Sequence, residues 1–114
     1  MSARKIRAAV KFAPVRFVDN GEAIRYRGEI VSPNGTTIMD RGTDREIDPA
    51  YTCEVEYNFP EVRRATGSRE WSAVCCATLG GHMTVRSFDT ADEAIAHASQ
   101  WVTRRFYSEP EVES

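Results

Sequence analysis

Apolar residues in this chain recur at every second position, in separate segments, as far as Phe88; beyond Thr90 they recur at every third or fourth. That change of period limits the fold more than any other feature. Side chains alternate across a strand with period 2.0 and share one face of a helix with period 3.6. Several strands followed by a single helix define an α+β chain in which the helix must bury its stripe against a sheet. The expectation is an antiparallel sheet of four to five strands with one C-terminal helix packed on one face.

The first alternating segment is Lys5–Phe12, with Ile6, Ala8, Val10 and Phe12 on one side and Lys5, Arg7 and Lys11 on the other. Pro14 has no N–H for a ladder and marks a bulge, a break or a sheet edge. Val15–Val18 resume the pattern up to Asn20-Gly21, the dipeptide that most strongly signals a hairpin. Taking these two as the whole turn places Val18 opposite Ala23 and Arg16 opposite Arg25, with Ala23–Val31 as the returning strand. Residues 32–49 are poor in apolar side chains and read as a loop with room for one turn of helix. Tyr51–Phe59 is a third strand, and Pro60–Arg69 a connection. Glu70–Leu79 is a fourth strand and is apolar on both faces: Trp71, Ala73, Cys75 and Ala77 on one, Val74 and Cys76 on the other. Such strands are central or covered on both sides. Gly80-Gly81 then turns the chain into a fifth strand, His82–Phe88, placing Cys76 opposite Val85.

The helix begins at Thr90, which forms a Thr-x-x-Glu capping box with Glu93. Ala91, Ala94, Ile95, Ala98, Trp101, Val102 and Phe106 make its apolar stripe, and Arg104 and Arg105 lie where the helix dipole favours cations. Residues 1–108 read as a single domain and 109–114 as an acidic, frayed tail. At 114 residues the chain hides about two thirds of its unfolded surface on folding, enough for a core without metal or disulfides.

Charge narrows the function classes. The net charge is −2, from 15 basic and 17 acidic residues. A protein devoted to duplex DNA is clearly basic, because phosphate neutralisation dominates its affinity. Thirteen of the basic residues are Arg, a bias that a GC-rich genome produces. Three cysteines, two of them adjacent, form no disulfide framework, and no zinc spacing is present. The longest uninterrupted apolar run, Ala73–Ala77, is far too short for a membrane span, and Lys11 interrupts any signal-peptide core. The expectation is a cytoplasmic protein with no cofactor, no metal and no membrane partner.

Two groups of residues are candidates for function. If the doubly apolar strand is not covered on both sides, Trp71 or the face carrying Val74, Cys76, Met83 and Val85 is an interface, since aromatics and Met are enriched at interface cores. A second group, Lys5, Arg7, Arg16, Arg25 and Arg27 with Arg63 and Arg64, could form a basic surface that tracks a single strand. The competing account pairs the hairpin arginines with Glu29, Glu54 and Glu56, and reads Arg63–Arg69 as a solvated tip. Asp40, Asp44 and Asp48 are spaced for one helix face, but Gly42 and Thr43 oppose a helix there. Neither a nucleophile elbow nor a phosphate loop is present, so an enzyme is not expected. The strands-then-helix order resembles, at the level of fold alone, the Whirly-type and coactivator single-strand binders. The leading expectation is a small non-enzymatic interaction protein, of the kind found as accessory proteins of phages or mobile elements in GC-rich bacteria, that binds a protein partner or itself. The alternative is single-stranded nucleic-acid binding through the basic N-terminal sheet.

Overall fold

The computed structural model describes residues 5–33, 35–47, 53–76 and 83–108. The alternating segments become strands and the 3.6-residue stripe becomes a helix. In chain order the elements are β1 (Ile6–Arg7), β2 (Ala9–Phe17), β3 (Ala23–Val31), β4 (Ile38–Asp40), β5 (Glu54–Tyr57), α1 (Pro60–Thr66), β6 (Trp71–Cys76), β7 (Met83–Phe88), α2 (Ala91–Arg105) and β8 (Phe106–Ser108). A five-stranded antiparallel sheet has the order β2-β3-β5-β6-β7, and α2 packs across it. The antiparallel sheet and its covering C-terminal helix are thus as the periodicity indicates.

A second sheet, with the order β1-β8-β4, is not visible in the sequence pattern. Phe106 fits the helical stripe, yet the helix stops at Arg105 and Phe106 opens β8 in an extended conformation. All three residues of β8 are buried, because β8 is the centre of its sheet, with β1 on one side and β4 on the other. The predicted single strand Lys5–Phe12 is correspondingly two. Around Ala8, whose N–H donates to the Phe106 carbonyl at 3.1 Å, the chain passes from one sheet to the other. The segment read as a loop holds β4 and a tight reversal in which Asp40 N–H donates to the Arg45 carbonyl and Ile47 N–H to that of Ile38.

The β2–β3 hairpin turns on three residues rather than two. Gly21 N–H donates to the Val18 carbonyl, and Val18 N–H to that of Glu22. Gly21 has φ 85°, the left-handed conformation that closes a three-residue loop after a type I turn. Phe17 therefore faces Ala23, and Pro14 faces Tyr26. The predicted Arg16–Arg25 pair is present, but only because register shifts flank it on both sides. The β6–β7 register also differs by two residues: Cys76 faces Met83, and Val74 faces Val85. A shift of two keeps every side chain on its predicted face. The Gly80-Gly81 turn and His82 lie outside the described residues, as do Asp48 and 109–114.

One core joins both sheets and α2. Ala94, Ala98 and Val102 of the helix meet Val55, Ala73, Cys53 and Cys75 of the large sheet and Phe106 of the small one. At the helix start Thr90 Oγ1 accepts the Glu93 N–H at 3.2 Å, the capping contact anticipated from Thr-x-x-Glu. The Pro60–Arg69 connection is solvated but helical rather than irregular: α1 starts at Pro60 and ends at Gly67, which has φ 72° and donates its N–H to the Arg63 carbonyl. Asn58 anchors this crossover, donating through Nδ2 to the Arg69 carbonyl and to Ser72 Oγ.

Candidate functional site

Because α2 covers the face of the large sheet that carries Val55, Ala73 and Cys75, the opposite face is left open. The strand register orders it into rows. Lys11 lies beside Glu29; Ala13, Arg27, Glu54, Val74 and Val85 make a row across all five strands; Arg16, Arg25, Glu56, Ser72 and Ser87 make the next. The rows divide the open face into a charged half on β2, β3 and β5 and an apolar half on β6 and β7. Four of the five interface candidates, Val74, Cys76, Met83 and Val85, share that apolar half. Met83 is 64% exposed and Val85 57%. Trp71 belongs to the helix side, half-buried against Tyr57 and Tyr26 with ring centroids 5.4 and 5.9 Å away.

The two edges of this sheet differ. Edge β2 contains Pro14 and Lys11, and its pairing with β3 is irregular at two points. Prolines, lysines and bulges are the devices that keep an edge from pairing with another chain. Edge β7 contains no Pro or Lys, and its register with β6 is unbroken over six residues. Among the described residues nothing pairs with its outer side.

The basic candidates do not form one patch: Arg16, Arg25 and Arg27 share the open face with Glu54 and Glu56, and the others lie elsewhere. Lys5 and Arg7 belong to the small sheet or its approach, with Lys5 Nζ 4.6 Å from the centre of the Tyr107 ring. Arg25 is ion-paired with Glu54, which with nearby Glu56 holds its guanidinium above its ordinary pKa, and Arg16 lies 4.0 Å from Glu56. Arg63 and Arg64 lie on α1, near Glu70 at 3.5 Å and Glu61 at 4.0 Å. Thr66 donates its hydroxyl to the Val62 carbonyl in the same helix.

Asp40 and Asp44 are likewise used internally. Asp40 is fully buried, accepting from Arg105 Nη2 at 3.1 Å and from Gly42 N–H at 2.8 Å, and Asp44 accepts from the Tyr107 hydroxyl at 3.2 Å. Among the described residues no group of three or more His, Cys, Asp or Glu side chains could hold a metal ion. Cys53, just before β5, and Cys75 of β6 are both buried; their mutual hydrogen bond and their burial push the Cys53 thiol above its ordinary pKa. Cys76 points to the open face instead, as adjacent strand residues must.

One feature escaped the sequence pattern. A cleft of about 360 Å³ lies between the C-terminal half of α2 and the turn after β4. His97, Gln100, Trp101, Arg104 and Arg105 line it from the helix, Arg41 and Gly42 from the turn. His97 is half-buried, with Phe88 of β7 packed 5.2 Å from its ring; burial, then Arg86, lower its pKa. The only sequence signal was the Arg104-Arg105 pair, which reads equally as a helix terminus. Among the described residues no helix is long and apolar enough to cross a membrane.

Compared with protein-family models, curated proteins and solved structures, this chain finds no match.

Proposed function

We propose that the protein is a non-enzymatic interaction module that binds a second copy of itself, edge to edge, through β7. The observation that carries this reading is the contrast between the two edges: β2 is interrupted, while β7 is regular, unpaired on its outer side among the described residues, and carries exposed Met83 and Val85. Fully burying a Val or Met side chain is favourable by roughly 1.5–3 kcal/mol, and both keep more than half of their surface in water. An antiparallel pair centred on Val85 places Val85 against Val85 of the second copy, extending the row that already holds Val74. The same register places Arg86 opposite Thr84 of the second copy rather than opposite another arginine. Single-stranded nucleic-acid binding by the N-terminal sheet is the weaker reading, since Glu54 and Glu56 occupy the same rows as its arginines.

Light scattering over a range of concentrations tests the proposal. The expected mass is about twice 12.8 kDa, falling to one chain in Val85→Glu and unchanged in Val15→Glu on the opposite edge. A wild-type monomer at every concentration would overturn it.

A further inference from the structure

We infer that the cleft beside α2 is a binding site for a small phosphorylated ligand with a planar ring, the chemistry of a nucleoside monophosphate. Three observations meet there. The first is charge. The cleft is lined by three arginines and no acidic residue, on a chain whose net charge is −2. Buried Asp40 neutralises one of the three, Arg105. Arg41 and Arg104 are exposed, come from different elements, and form no ion pair among the described residues; the Arg41 guanidinium lies 5.1 Å from the centre of the Tyr107 ring. Five other arginines, at positions 16, 25, 63, 64 and 69, stand near a carboxylate, whereas Arg7, Arg27, Arg45 and Arg86, like Arg41 and Arg104, form no ion pair among the described residues; what sets Arg41 and Arg104 apart is that they line one cleft. Two unneutralised guanidiniums across one cleft suit the doubly charged, multi-oxygen phosphate that arginine forks recognise.

The second observation is construction. The Asp40–Arg105 pair and the Arg41 N–H, which donates to the Arg105 carbonyl at 2.8 Å, fix the turn against the helix end. A Cβ at Gly42 would stand 3.3 Å from Asp40 Oδ1 and 3.5 Å from Arg105 Nη2, a tight but small crowding of the Asp40–Arg105 pair. Among the described residues Arg105 Nε is buried without a hydrogen-bond partner, as are Arg25 Nε and Arg63 Nε elsewhere. The third is the wall itself. Trp101 presents an indole to the cleft, held edge-on by Phe106 at 5.3 Å, and Gln100 and His97 supply neutral hydrogen-bonding groups beside it. An indole takes a planar ring by stacking, and a cleft of about 360 Å³ is of ligand-pocket size. The site is on the helix side of the large sheet, so it is independent of the open face and of self-association.

Calorimetric titration of the wild-type protein with adenosine monophosphate, inorganic phosphate and adenosine tests the assignment. The expected order of affinity is adenosine monophosphate above both fragments. Losing one charge-assisted contact to phosphate should weaken binding about tenfold or more, so Arg41→Ala and Arg104→Ala are each expected to do so; both positions are exposed and leave the core intact. Tryptophan fluorescence should be quenched on binding, and quenching that survives in Trp71→Phe assigns it to Trp101. No heat and no quenching at millimolar adenosine monophosphate would overturn the proposal. So would equal affinity for inorganic phosphate, or binding unchanged in both arginine variants.

Discussion

Gly28 shows how one residue can decide the packing of the hairpin. It sits on the core side of β3 opposite Phe12, and a Cβ there would lie 2.7 Å from Phe12 Cε1 and 2.8 Å from Val10 Cγ2. Those distances force both side chains to move. Replacing glycine in a strand ordinarily gains up to about 1 kcal/mol by restricting the unfolded chain. Overpacking costs roughly 1–3 kcal/mol, so here the clash wins. Gly28→Ala is therefore expected to destabilise the protein by about 1–2 kcal/mol in urea unfolding, and adding Phe12→Leu should recover part of the loss, since residues in contact couple. The open-face residues were legible in the sequence for the opposite reason: Val74 and Cys76 interrupt a strand that already had an apolar face, and two-residue periodicity fixes their side whatever the register. Arg41 and Arg104 were not legible as a pair, because they are far apart in the chain and only the β4 turn and the helix end bring them to one cleft.

Elements long enough to show their period were read correctly, and short ones were not. The β2–β3 hairpin, β5, β6, β7 and α2 each carry a repeating pattern or a turn or cap signal. Strands β1, β4 and β8 have two or three residues each, too few for any period. Their existence depends on tertiary pairing, and Phe106 changes from helix to strand because β8 needs it there. Helix α1 was missed because its seven residues bury nothing, so no stripe marks it. Helix α2 is expected to respond at its cap. The Thr90 hydroxyl satisfies the Glu93 N–H, which has no partner within the helix. Thr90→Ala should cost about 1 kcal/mol in chemical denaturation, while Thr90→Ser or Thr90→Asp should keep most of the stability.

The assembled chain has one covered sheet face, one open face divided between charge and apolar side chains, one interrupted edge and one regular edge. The charged half already neutralises itself through Arg25–Glu54 and Arg16–Glu56, so it offers little to an anionic strand. Exposed pairs of this kind contribute only about 0–1 kcal/mol each, and they keep the face hydrated. The apolar half adjoins the edge that is open to pairing, and the two features reinforce each other: a second β7 would satisfy backbone groups and cover Met83 and Val85 together. Cross-linking reads that geometry directly. Residues directly opposed across an antiparallel pair have Cβ atoms about 4.5–5.5 Å apart, close enough for a disulfide to form after a small adjustment. With Cys76→Ser removing the half-exposed thiol, and Cys53 and Cys75 buried, Val85→Cys provides the one accessible thiol among the described residues. Under mild oxidation Val85→Cys is predicted to give a covalent dimer rapidly, and Arg86→Cys, which faces Thr84 of the second copy, to give it slowly. A Val85→Cys protein that stays monomeric, or cross-links no faster than Arg86→Cys, would contradict pairing through β7.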